Sequence, residues 1–337
     1  MHISTANPAR GAGYAAICAI VSCAIVCLAS ANAALSQAWP ARTISAVIPF
    51  SAGNANDVIA RIVLDQLSRQ LGQPIIIENR PGAGGTTGVA AVARAAPDGY
   101  TILVHSSSFS SAYAIYKSLP YDTFADFVGA APIGVQPTVL VVAPSKGFKT
   151  LGELVAAAKA EPGKLNFASA GIGAASHLAA ERFRVSAGFT AQHIPFRGPT
   201  EALTEVMAGR IDYYFLPIAP ALPLIKEGKV LALAVSSAAR APALPDVPTT
   251  AESGLKDAAY NFWTGLFVPA KTPRDIIERL HQETRKAVAE PAVREKLAKI
   301  GVQPLSLSAQ EFDKYFRDDV TSTAKLVKDA GVPQQSN

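Results

Sequence analysis

Beyond Cys27 the chain contains no cysteine, since all three, Cys18, Cys23 and Cys27, lie near its start. A product that loses this start can have neither a disulfide nor a thiolate nucleophile. Long apolar runs are also missing from the rest of the sequence, so no later segment is suited to span a bilayer. There is no block of consecutive Lys and Arg and no basic stripe interleaved with aromatics, which argues against nucleic acid as a partner. The net charge is only +5, and it falls by one if Arg10 leaves with the start of the chain. Such a mild excess suits small acidic ligands without choosing among them. Neither a metal nor a cofactor is expected.

What is present begins with "MHISTANPARGAGYAAICAIVSCAIVCLASANA". One basic residue, Arg10, precedes an apolar core of about 15 residues, too short to span a bilayer, and small residues close the stretch at Ala31-Asn32-Ala33. This is the layout of a cleaved secretory signal peptide, 1–33. The residues before Cys27 lack the small-residue pattern of a lipidated cysteine. Export without cysteine points to the bacterial periplasm, and the exported product is expected to be a soluble monomer.

About 300 remaining residues exceed what one core usually supports, so two domains are expected. Short Val/Ile-rich runs alternate with helical patterns: "TISAVIPF", "DVIARIVLDQLSRQLG", "PIIIEN", "TGVAAVARAA", "YTILVHS". In the second of these, Val58, Ile59, Ile62, Val63, Leu67 and Leu71 recur at helical spacing. The alternation restarts at "TVLVVAP" and runs to "VLALAVSS". Strand, helix, strand in this order predicts parallel sheets covered on both faces, an α/β fold. Capping boxes are predicted at Thr150…Glu153, Thr272…Asp275 with Pro273 at the first helical position, and Ser308…Glu311. The late run "YNFWTGLFVPA" precedes helical patterns over 273–300 and 308–331. If it rejoins the first sheet, domain 1 is discontinuous (34–135 plus 249–337) around domain 2 (136–248). The two crossings, near 128–143 and 249–268, would then form a hinge over a cleft.

Open α/β sheets bind ligands beyond the carboxyl ends of their strands, and four loops fall there. The loop 49–57 runs into a helix and offers Ser51 and the amides of Ala52, Gly53 and Asn54 beside a positive helix end. Asp57 is favoured as a helix cap. "NRPGAGGTTG" lacks the Gly-Lys-Ser/Thr ending of a nucleoside-triphosphate loop and a dinucleotide fingerprint. Its Gly84, Gly85, Thr86 and Thr87 still supply amides and hydroxyls for a carboxylate. "HSSSFSS" brings Ser106, Ser107 and Ser108 to the end of a third strand. "SAGIGAASHLAAERF" combines Gly171 and Gly173 with Ser176 and His177, the histidine being more suited to structural hydrogen bonding than to metal ligation. Ser176 and His177 are adjacent on a helix with no nucleophile elbow, so a serine-hydrolase site is disfavoured.

Taken in order, "PFSAGNANDVIAR", "ENRPGAGGTTGVAAVARAAPDGYTIL", "YDTFADF", "GIGAASHLAAERF", "HIPFRGPTEALTEVMAGRID" and "LALAVSSAARAPALPDVPTTAESG" resemble the hallmarks of the Bug family. These are the periplasmic solute-binding components of tripartite tricarboxylate transporters. The resemblance covers the whole exported chain. It implies a two-domain periplasmic binding protein of Venus-flytrap, type II-like architecture, with two crossing strands as hinge. It also implies a carboxylate-bearing ligand gripped by loops 51–54 and 84–87, and closure of loop 171–177 with Phe196-Arg197-Gly198 from the other side. Asp212 would line the second domain, and permease subunits would be partners. Two departures stand out. Asn54 replaces a frequent glycine, and Ala174 replaces a frequent Ser or Thr; both point away from a strictly tricarboxylate pocket. A dicarboxylate, an amino acid or an aromatic carboxylate fits equally. The alternatives are an exported hydrolase or isomerase using Ser176 and His177, and a ligand-sensing module for a receptor.

Overall fold

The computed structural model describes residues 39–336, so the signal peptide expected at 1–33 lies outside the described residues. Isoleucine-rich segments build the first strands, β1 (Ile44–Ile48) and β2 (Ile75–Asn79), because β-branched side chains suit a pleated, buried surface. With β3 (Thr101–Ser106) they pair in parallel in the order β2-β1-β3. Next comes β9 (Asn261–Pro269), antiparallel to β3, so the late strand does rejoin the first sheet. β9 lies against β4 (Phe127–Val142), whose other edge carries the short β10 (Gln303–Pro304).

β4 belongs to two sets of neighbours. Residues 127–137 pair with β9, whereas 138–142 pair with β7 (Tyr213–Pro217) and β8 (Leu231–Val235). Beyond β7 lie β5 (Asn166–Ser169) and β6 (Gln192–Pro195), parallel to one another. Strand direction then fixes where the ends point. β1, β2 and β3 run the same way as β4, since two antiparallel steps separate β3 from it; β5, β6 and β7 run the opposite way. The carboxyl ends of the two parallel sets therefore face each other along β4. β3 ends level with Gly134 and β7 level with Thr138, a separation of four residues or about 13 Å at strand rise.

Helices cover these sheets: α1 (Ala55–Leu71), α2 (Thr86–Ala93) and α3 (Ser108–Ile115) belong to the first set, and α4 (Leu151–Ala160), α5 (Ala175–Ala187), α6 (Pro199–Met207) and α7 (Ile218–Lys226) to the second. In α1 the buried Ile59, Val63 and Leu67 follow the expected helical stripe, and Gly72 ends the helix in the left-handed region. The pattern over 273–300 is not one helix. It is α8 (Arg274–Ala289) and α9 (Pro291–Lys299), because Pro291 cannot continue the ladder but suits a first turn. Thr272 does not cap α8; its hydroxyl is buried without a hydrogen-bond partner among the described residues. Thr150 and Ser308 do cap their helices, and Ser308 forms the full box with Glu311.

The last helix, α10 (Ala309–Asp329), spans two cores. Its Phe312, Phe316 and Val320 pack with Phe109, Phe127, Trp263 and Phe267, while Leu326 and Val327 pack with Leu178, Phe183, Tyr213 and Phe215. Where β4 changes partners, a buried polar knot ties three segments together. Thr138 Oγ1 lies 2.7 Å from Ser236 Oγ, Ser236 Oγ donates to Tyr260 O at 2.6 Å, and Thr138 N donates to Ser236 Oγ at 3.2 Å. Thr138 and Ser236 are fully buried. Ser236→Ala strips these bonds without giving Thr138 or Tyr260 access to water, so urea unfolding is expected to show a loss of about 2 kcal/mol. An unchanged midpoint would mean the knot contributes nothing.

Candidate functional site

The first jaw is built at the ends of β1 and β2. Asn54 caps α1, its Oδ1 accepting from Asn56 N at 2.8 Å and Asp57 N at 3.1 Å, while its amide group donates to Ser51 O. Asp57 is not the cap but the residue three positions in. Its buried carboxylate reaches back to accept from Gly53 N at 2.8 Å, from Asn79 Nδ2 at 2.9 Å and from Arg61 at 2.9 and 3.0 Å. The expectation of an outward Gly53 amide is thus corrected: that N–H is spent on Asp57. Ser51 and Ala52 are exposed.

The glycine loop lies directly beside it. Asn79 Nδ2 also donates to Phe50 O at 3.0 Å, and Arg80 N donates to Ile48 O at 2.8 Å. Gly88 lets α2 approach, since a Cβ there would stand 2.8 Å from Arg80 O and 2.9 Å from Pro49 Cα. Gly84 (φ +63°) and Gly85 (φ +100°) occupy the left-handed region. The Thr86 hydroxyl is buried and donates to Ala83 O at 2.9 Å, so it serves the turn. Thr87 Oγ1 packs beside Gly82.

β3 leads into the third loop. His105 is fully enclosed, with its ring stacked on Phe109 and edge-on to Phe50, and burial drops its pKa to about 3, so it is neutral. Ser106 and Thr264 are buried with hydroxyls that have no partner among the described residues, whereas the buried Ser107 lies beside the Tyr260 hydroxyl and Ser110 beside the Asp319 carboxyl.

The second jaw starts at β5. Ser169 Oγ accepts from Gly171 N at 3.1 Å and lies 2.6 Å from His193 Nε2. Ser176 Oγ accepts from Ala170 N at 3.0 Å, and His177 Nδ1 accepts from Gly173 N at 3.1 Å. The other His177 nitrogen faces Glu181 Oε1 at 3.5 Å, which in turn pairs with Arg184. His177 therefore orders the loop, as expected of a structural hydrogen-bonder, and Ser176 and His177 do not form a nucleophile–base pair. Phe167, His193 and His177 stack in sequence, His177 and His193 with centroids 3.9 Å apart. Burial, together with the neighbouring His177, lowers His193 to about 3. Phe196 adjoins Gly171, and the exposed Arg197 side chain makes no ion pair among the described residues.

Asp212 is elsewhere. It precedes β7, accepts from Asn166 N at 2.7 Å and pairs with Lys146 at 2.6 Å, at the amino ends of β5 and β7. The glycine loop of the second jaw lies at the carboxyl end of β5, so Asp212, which joins two strands, stands at the opposite strand ends from that loop.

Three contacts that sequence patterns did not reveal come from α3 and the residue that follows it. Ser111 Oγ donates to Gly173 O at 2.9 Å and Ile115 packs on Gly173, while Tyr116 lays its ring and hydroxyl against Gly84. One short helix and the residue after it thus touch a glycine of each jaw. Two adjoining cavities of 380 and 460 Å³ lie along α8, α9 and β10, and none of the loop residues above lines them.

Residues 59–332 match the tripartite tricarboxylate transporter family receptor, TctC. The chain belongs to this family. The match agrees with the Bug resemblance, and the receptor is a periplasmic carboxylate-binding component of a tripartite transporter. A relative from Pseudomonas sp. (strain P51), the UPF0065 protein in the tcbD-tcbE intergenic region, is 36% identical, with 97% of each chain covered. Among solved structures, Rpa4515 of R. palustris with adipate superposes with a TM-score of 0.78 at 28% identity, covering 88% of this receptor and 100% of that chain. MatC (Rpa3494) of Rhodopseudomonas palustris with bound malate gives 0.74 at 32%, covering 86% and 100%. The fold is that of the two-domain solute-binding proteins. Among the described residues no helix is long and apolar enough to cross a membrane.

Proposed function

We propose that this receptor captures a small dicarboxylate without transforming it and presents the closed form to permease subunits. The observation that carries the reading is the meeting of two sets of strand carboxyl ends, each ending in a glycine loop, with α3 touching one loop and Tyr116, just after it, the other. Gly85 N already donates to Gly82 O at 2.8 Å and Thr86 N to Ala83 O, and Gly171 N and Gly173 N serve Ser169 and His177, so only the remaining amides at these turns replace part of a carboxylate's hydration. One ligand carboxylate sits on loop 84–87 with Ser51, Ala52 and Asn54 beside it. Ser107, Gly171, Gly173 and Arg197 meet the rest of the molecule, while Asp57, Thr86, Ser176 and His177 hold the loops in shape. The domain limits are those expected from the sequence, 34–135 with 249–337 and 136–248, hinged at the Thr138–Ser236 knot. The exported protein works as a monomer after losing residues 1–33.

A dicarboxylate is favoured because two relatives of this fold are solved with malate and with adipate, and because Ala174 takes a hydroxyl away from the second jaw. Thermal shift against mono-, di- and tricarboxylates tests this. A ligand at a hundred times its dissociation constant adds about 2.7 kcal/mol, so one or a few dicarboxylates should raise Tm by several degrees and be recovered unchanged. Stabilisation by none of the panel, or conversion of the ligand, would overturn the reading.

A further inference from the structure

We infer that Tyr116 is a ligand-binding residue whose phenol donates a hydrogen bond to the carboxylate seated on the glycine loop 84–87. The inference rests on the proposed carboxylate site and adds a side chain to it.

Position comes first. An ideal Cβ on Gly84 would fall 1.9 Å from the Tyr116 hydroxyl oxygen and 2.9 Å from the ring carbon bearing it. The hydroxyl therefore stands in contact with the backbone of the loop. Tyr116 is half-buried, and its hydroxyl makes no hydrogen bond within the described part of the chain. Its donor is spare at a place where a carboxylate on those amides would come within reach. Burial raises its pKa above 10.0, so it remains a protonated donor at neutral pH.

Its placement is also held. Tyr116 N donates to Ala112 O at 3.1 Å, closing α3. On either side of Tyr116, Gln335 N donates to Ile115 O at 2.8 Å and Lys117 N donates to Gln335 O at 3.0 Å, so the C-terminal tail clamps the segment. The same helix presents Ser111 to Gly173 of the second jaw. Ligand on the first jaw and closure of the second are thus sensed by side chains five residues apart in sequence. A ring fixed at both ends, with its only polar atom unused, is what a donor to an anion needs.

The test is Tyr116→Phe, which keeps the ring against Gly84 and removes only the donor. A hydrogen bond to a charged group contributes about 1.5–3 kcal/mol, corresponding to roughly a 10- to 100-fold change in Kd. Calorimetric titration with malate and adipate should show that weakening for whichever binds the wild type, with the unliganded Tm unchanged. Equal affinity for wild type and Tyr116→Phe would overturn the inference while leaving the carboxylate site standing. A lowered unliganded Tm with unchanged affinity would also overturn it, by making Tyr116 a packing residue. Failure of the wild type to bind any carboxylate would instead reject the site itself.

Discussion

Asp57→Ala should lower stability by about 3 kcal/mol and weaken carboxylate binding at least tenfold. The side chain of Asp57 is 2% exposed and ties together Gly53 N, Asn79 and Arg61. Removing it takes one partner from the half-buried Asn79 amide, which keeps Phe50 O, and one from the N–H of the exposed Gly53, so the two losses together cost about 1–3 kcal/mol. Arg61 is 51% exposed and rehydrates, so the total stays below the upper range for breaking an enclosed ion pair. Binding falls because Asp57 joins both loops of the first jaw, one through Gly53 and the other through Asn79. Burial alone would push the carboxyl up, but hydrogen bonds from Arg61, Gly53 and Asn79, with the Arg61 charge, bring it below 3.8. A depressed folded pKa means the stabilisation is complete above the unfolded value and is lost as pH falls through the folded one. The wild type and Asp57→Ala should therefore differ by a constant amount from pH 5 to 8 and converge only below about pH 4. Urea midpoints across that range check both the size and the sign.

Gly84→Val should reduce carboxylate affinity about 100-fold or more, roughly 2.8 kcal/mol, with a smaller loss of stability. Two separate obstacles meet at this position. The backbone is left-handed at φ +63°, a region costly for a β-branched residue. A Cβ would also collide with the Tyr116 hydroxyl. The loop or the tyrosine must move, and either shift takes donors off the carboxylate. Gly147→Val is the control: φ there is +79°, yet nothing lies within 4 Å of its Cβ position. It shares the strain without the collision, and its titration with the same dicarboxylate should match the wild type. Equal losses in both variants would mean the first effect is backbone strain alone.

The alternation of apolar runs with amphipathic helices made the α/β class legible, because burial on both faces leaves a direct mark on composition. Glycine loops at strand ends were legible for the same reason: a left-handed turn or a close approach, as at Gly88 against Pro49, leaves little choice of residue. The dual membership of β4 was less visible. Nothing in "FVGAAPIGVQPTVLVV" says that pairing partners change at Pro137, since that is set by which chain segments return. α10 likewise has one continuous stripe whose two ends enter different cores. Pro291 was a readable break, overridden by the strong periodicity on either side. The direction of the Gly53 amide was not readable, because Asp57 competes for it from within its own loop. Tyr116 follows α3 without any local signal, and only the folded chain brings it to Gly84. The resemblance alone put Asp212 in the lining of the second domain, and nothing in its local sequence says that it precedes β7 at the strand's amino end, tied to Asn166 and Lys146.

The most direct measurement is a crystal structure with the dicarboxylate that stabilises the protein best. One carboxylate is expected against loop 84–87 and within hydrogen-bonding distance of the Tyr116 hydroxyl, with loop 171–177 closed over the other end. Ligand density instead in the cavity beside Arg285 and Arg294, with the glycine loops empty, would contradict it.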